Sequence, residues 1–75
     1  MRLSEFCLGE KYRVKAVFGE RALHRKLRNA GFCAGADVRV KCAAPFGGTI
    51  LVEIDGTCLV ALRESAARFI EVDRW

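Results

Sequence analysis

A chain of 75 residues with a formal charge of +4 and 52% hydrophobic side chains has material for one small core and little more. That leaves no volume to spare for a roomy enzyme cleft. No apolar run approaches the length of a membrane span or of a signal-peptide core, so the expectation is one soluble, cytoplasmic domain over 1–75.

In chain order, Leu3-Ser4-Glu5-Phe6 reads as a short turn with Ser4 as its cap, and Leu8-Gly9-Glu10 as a second turn. Tyr12, Val14, Ala16 and Phe18 then alternate with Lys11, Arg13, Lys15 and Val17. Period two over eight residues predicts a half-buried strand with Tyr12 and Phe18 on its inner face. Gly19 ends it. Residues 20–30 follow helical spacing, with Leu23, Leu27 and Ala30 on one face and Arg21, Arg25 and Arg28 on the other, His24 beside them. Glu20 falls in the first turn, where a carboxylate suits the helix dipole. Gly31 stands where a left-handed glycine closes a helix, and Phe32 can fold back on Leu27.

The second strand sets Ala36, Val38, Val40 and Cys42 against Asp37, Arg39 and Lys41. A loop rich in breakers follows over 43–48. The third strand sets Ile50, Val52 and Ile54 against Leu51, Glu53 and Asp55, and Asp55-Gly56 signals a tight hairpin into a fourth strand over 58–62. Residues 63–68 suffice for one helical turn. Phe69-Ile70-Glu71-Val72 closes as a fifth strand, and 73–75 reads as a loose tail. The fold class is therefore mainly β (α+β by count): a five-stranded SH3-like or OB-like barrel, with one amphipathic helix between strands 1 and 2 and a short helical turn before strand 5.

Cys7, Cys33, Cys42 and Cys58 are irregularly spaced, with no Cys-x-x-Cys. They read as free thiols of a reducing compartment, Cys42 and Cys58 on inward strand positions as small hydrophobes. No candidate ligands show metal-site spacing, and one histidine offers little. No catalytic constellation or phosphate loop is present either. Gly31-x3-Gly35 precedes a strand and not a helix, which is the wrong order for a nucleotide cradle. No metal site, no cofactor and no enzymatic activity are expected.

The charge is uneven. Residues 11–41 hold nine Lys/Arg against Glu20 and Asp37, a net of +7, while the segments on either side are net acidic. One part of the surface is therefore positive. Arg21, His24, Arg25 and Arg28 are candidates for docking an acidic patch on a partner, against the plainer reading of a solvated helix face. Pro45, Phe46 and Gly47 are candidates for an exposed loop anchor, against a Phe46 that caps the barrel end.

Taken together, certain residues resemble a known family. They are Leu3-Ser4, Gly9, Leu23-x3-Leu27-x3-Gly31-Phe32-x2-Gly35-x2-Val38-x-Val40, Ala44-Pro45-Phe46-Gly47, Leu59-Val60-Ala61-Leu62-Arg63 and Ile70-Glu71-Val72. The ordered set, which covers essentially the whole chain, is similar to FeoA, the small cytoplasmic protein of bacterial ferrous iron transport. Departures are Phe32 for the usual Leu, Ala34 where Pro is common, and Gly48 where Asp is common. The resemblance implies an SH3-like barrel. It also implies an accessory, regulatory role in ferrous iron uptake through protein–protein interaction. The implied partner is FeoB, the membrane iron transporter, with its cytoplasmic G-protein domain as the docking element. Transition-metal binding enters only as a family-level property. Direct membrane insertion is not expected, and self-association stays open. The alternatives are a small nucleic-acid-binding barrel, motivated by the +7 segment, and a ligand- or metal-responsive regulatory module of the kind fused to metal-dependent repressors.

Overall fold

A computed structural model describes residues 1–45 and 47–75. A 3₁₀ turn at Leu3–Glu5 leads into β1 (Lys11–Val17), α1 (Arg21–Ala30), β2 (Asp37–Ala43), β3 (Thr49–Ile54), β4 (Cys58–Arg63), α2 (Glu64–Ala67) and β5 (Ile70–Arg74). Every strand pairing is antiparallel and the sheet order is β4-β3-β2-β1-β5. The molecule is mainly β, with one helix between the first two strands.

The core forms where the alternating apolar faces meet. Tyr12, Val14, Val38, Val40, Ile50, Val52, Ile70 and Val72 are buried from the strands, and Leu3, Leu27, Phe32 and Ala67 close over them. Tyr12 is fully enclosed, as the alternation predicts. Its hydroxyl accepts a hydrogen bond from the Cys7 N–H at 2.9 Å, so the buried phenol is not left without a partner. At the β3–β4 hairpin, Asp55 and Gly56 have φ values of 52° and 75°. The Thr57 N–H donates to the Ile54 carbonyl at 3.2 Å. Positive φ at both central residues is what a tight Asp-Gly hairpin demands.

The joint after α1 forms as the glycine spacing predicts. Gly31 is left-handed, at φ 112°. Its N–H donates to the Arg28 carbonyl at 3.0 Å, and the Phe32 N–H donates to the Leu27 carbonyl at 3.0 Å. This pair of bonds is the Schellman closure. Its apolar clasp is also in place, because Leu27 and Phe32 are both buried.

Four local expectations are corrected. Ser4 is not a cap: Arg2 takes the N-cap position, and its N–H donates to Glu5 Oε1 at 3.0 Å. Phe18 is 55% exposed and not core. A register shift in β1 lies between Val14 and Ala16, after which Ala16 pairs with Glu71 and Val17 with buried Ile70. One extra residue, Lys15, inverts the alternation, so Val17 turns inward and Phe18 outward. The same device in β2, between Val40 and Cys42, pairs Cys42 with Leu51 and Ala43 with Ile50. Cys42 is therefore exposed, as is Cys58 beside the hairpin turn. The fourth correction is the C-terminus. β5 runs to Arg74, and Trp75 is tied down. Its Nε1 donates to Asp37 Oδ1 at 3.0 Å, and its ring lies 4.7 Å from Lys11 Nζ and 4.0 Å from the Arg13 guanidinium carbon. Two flanking cations on an indole face are an attractive arrangement.

Leu27 belongs to both the helix stop and the core. Leu27→Ala is expected to lower stability by about 2–5 kcal/mol, as for buried leucines generally. Chemical denaturation measures this, and an unchanged midpoint would show that α1 does not pack through Leu27.

Candidate functional site

α1 is short, so it persists by packing and not by propensity. Its apolar stripe of Leu23, Leu27 and Ala30 faces the barrel. That places Arg21, Arg25 and Arg28 outward, and all three are exposed. Glu20 is the N-cap residue and lies outside the first turn. It is extended, and its side chain makes no capping bond. The His24 N–H donates to the Glu20 carbonyl at 2.9 Å. The His24 side chain is half-buried at the edge of a shallow pocket of ≈ 390 Å³ shared with Ala16, Val17, Arg28, Phe32 and Cys33. Arg21, His24, Arg25 and Arg28 are therefore one continuous surface on one element.

The loop candidates lie elsewhere. Pro45 and Gly47 are exposed, and Phe46 lies outside the described residues. The loop is closed by the Ala44 N–H donating to Thr49 O at 2.9 Å and the Gly47 N–H to Ala44 O at 3.0 Å. It feeds the Thr49 end of β3. The C-terminal end of α1 meets the opposite end of that strand, since a Cβ on Gly31 would come 3.2 Å from Ile54 Cδ1. At about 3.3 Å per residue, the two ends of β3 are roughly 17 Å apart. The loop and the Arg28 end of the helix are separate patches.

The basic segment also resolves into parts. Lys11 and Arg13 hold the Trp75 ring. Lys41 Nζ lies 3.9 Å from Glu53 Oε2. Among the described residues, Arg21, Arg25 and Arg28 have no ion-pair partner. Much of the uncommitted positive charge therefore sits on the helix, where long-range attraction to an acidic surface acts on encounter rates more than on affinity. Among the described residues, no three His, Cys, Asp or Glu side chains gather as a metal-holding group. The four thiols are exposed and unpaired. Among the described residues, no helix is long and apolar enough to cross a membrane.

Two features escaped sequence reasoning. One is the Trp75 clasp, whose partners Lys11, Arg13 and Asp37 are far away in sequence. The other is an apolar groove between α1 and β4, lined by Leu23, Leu27, Val60, Leu62 and Phe69 among others. The run of apolar residues from Leu59 to Leu62 is the only sequence signal for the groove.

The FeoA domain model matches residues 1–74. The chain belongs to the FeoA family. Solved structures agree. The FeoA protein of Chlorobium tepidum is 35% identical, with a TM-score of 0.89 over 99% of this chain and 70% of that one. The iron(II) transport protein A of Clostridium thermocellum is 32% identical, with a TM-score of 0.91 over 99% of this chain and 45% of that one. The zinc-complexed FeoA of Stenotrophomonas maltophilia is 36% identical, with a TM-score of 0.82 over 97% of this chain and 89% of that one. That protein is described as a prokaryotic SH3-domain protein and a candidate activating factor of bacterial ferrous iron transport. No curated protein matches the chain. Family membership makes this an SH3-like, non-catalytic accessory protein of iron transport.

Because Arg25 is exposed and unpaired, Arg25→Glu is expected to change stability by no more than about 0.5 kcal/mol, as surface substitutions do. Thermal melting measures it. A large loss would make Arg25 a structural residue and remove it from the surface.

Proposed function

We propose that this protein regulates ferrous iron uptake by docking on FeoB from the cytoplasm, with the Arg21–Arg25–Arg28 face of α1 against an acidic patch of FeoB's G-protein domain. His24 borders that contact. The loop candidates Pro45, Phe46 and Gly47 supply a second, separate contact, since Pro45 and Gly47 stand at the far end of β3. The observation that carries this reading is the family match over residues 1–74, on a chain whose exposed helix cations have no ion-pair partner among the described residues. The Stenotrophomonas relative's description as a candidate activating factor supports the same direction.

Regulation on this reading is a matter of preference between states. The small protein shifts FeoB only by the difference in its affinity for two conformations of the transporter. It handles no iron in transit. Uptake responds through FeoB, whose own domain carries any nucleotide chemistry.

Co-purification with the FeoB cytoplasmic domain tests the proposal, in the presence of GDP and of a GTP analogue. The expectation is retention with at least one nucleotide, weakened by added salt and lost on combining Arg21→Glu, Arg25→Glu and Arg28→Glu. Retention unaffected by the triple charge reversal would refute the helix-face contact. No retention in either nucleotide state, with full-length FeoB in detergent equally inert, would refute docking altogether.

A further inference from the structure

The two outer edges of the sheet are treated differently. β5 is covered: the Val72 N–H donates to the Met1 carbonyl at 2.7 Å, and Arg2 bridges to Glu71. β4 is bare. Its one sheet neighbour is β3, and among the described residues no backbone outside β3 hydrogen-bonds to Cys58–Leu62, while Arg63 already serves as the N-cap of α2. Half of its backbone donors and acceptors thus face away from the sheet. Folded proteins usually blunt such an edge with a charge, a proline or a bulge. From Cys58 to Leu62 this strand has none of these, and Leu59 is 59% exposed.

The bare edge does not face open solvent alone. α1 stands across from it, and the space between them is a groove of ≈ 620 Å³. The helix wall is Leu23, Leu27 and Ala30, and the strand wall is Val60 to Arg63, with Ala66 and Phe69 at one end. The groove's only charged lining residues are Lys26 and Arg63, both cations. A groove with a helix on one side and an unpaired strand on the other is the arrangement in which domains of several kinds add a peptide as an extra strand. Backbone bonds give such a site its affinity, and alternate side chains seated against the helix give it selectivity.

We propose that this groove receives an extended peptide segment of a partner protein, apolar at alternate positions and acidic between them, which pairs with β4 as a sixth strand. The apolar side chains seat against Leu23, Leu27 and Phe69. The carboxylates meet Lys26 and Arg63. The acidic preference follows from the lining, which holds two positive charges and no negative one. It also disfavours a second copy of this chain as occupant, because a β4–β4 pairing brings no carboxylate of either strand to Lys26 or Arg63 and places like charges near one another. The groove lies on the opposite side of α1 from the Arg21–Arg25–Arg28 face, so this site stands or falls separately from the contact proposed above.

The test titrates isotope-labelled protein with a capped synthetic peptide of about six residues, the usual strand length, alternating valine and glutamate. Amide shifts are followed by NMR. Expected are shifts confined to β4 and the groove side of α1, and an affinity about tenfold lower in the Lys26→Glu, Arg63→Glu double variant, which corresponds to about 1.4 kcal/mol. Lys15→Glu, on β1 and outside the groove lining, leaves the affinity unchanged. The same peptide N-methylated at alternate amides does not bind, because it cannot pair with a strand edge. Four results overturn the proposal: no shifts up to about 1 mM peptide, where the binding free energy is only roughly −4 kcal/mol; shifts centred on the outer arginines; undiminished binding of the N-methylated peptide; or β4 shifts that follow protein concentration without peptide, which assign the edge to a second copy.

Discussion

The Phe32 N–H bond to the Leu27 carbonyl is the constraint on which the rest depends. It ends α1, turns the chain through left-handed Gly31, and delivers Phe32 into the core within one residue of the helix stop. A ten-residue helix has little stability alone. Clasped between Leu27 and Phe32 it becomes part of the barrel wall. Gly31 suits this place for two reasons. Its φ of 112° is one that L side chains rarely adopt, and a Cβ there would press on Ile54. The joint therefore fixes the orientation of the helix as well as its end. The direction of the arginine face and the width of the β4 groove both follow from it.

The same joint shows what a sequence can disclose. Its logic is local: periodicity, then a glycine, then an apolar residue that folds back. The Asp55-Gly56 hairpin is local in the same sense, and both were legible. The alternation of Tyr12, Val14, Val38, Val40, Ile50 and Val52 was legible because period two persists over each stretch. The bulges were not. Lys15 and Lys41 carry no mark that sets them apart from their neighbours, and the register shift exists only relative to the partner strand. Each bulge inverts the parity beyond it, and for this reason Phe18 and Cys42 were misplaced together. The C-terminus was missed for a related reason. Asp73, Arg74 and Trp75 are held by β1 and Asp37, at separations no local pattern can report.

The proposed interaction surface was legible in its residues and not in its grouping. A net of +7 over residues 11–41 suggests one broad positive patch. Folding divides it. Lys11 and Arg13 turn to the indole, Lys41 pairs with Glu53, and Arg21, Arg25 and Arg28 remain outward. Pro45 and Gly47, companion candidates in the sequence, stand at the far end of β3. The groove beside β4 left only the apolar run Leu59–Leu62 as a trace in the sequence, because an edge is a property of sheet order. Strands β4 and β5 look alike as short apolar runs, yet one edge is covered by the N-terminal residues and the other is left bare.

On the proposed reading these features describe a protein whose chemistry is recognition. A small core fixes a helix, the helix presents on its outer side cations with no ion-pair partner among the described residues, and on that reading the partner supplies the response. The most direct test is solvent exchange of backbone amides with and without the FeoB cytoplasmic domain in a nucleotide state that supports binding. The account predicts slowed exchange at the exposed end turns of α1 and its flanking loop, with the Tyr12, Val38 and Val52 core amides unchanged. Slowed exchange confined to the Trp75 end of β5, with α1 unaffected, would contradict it.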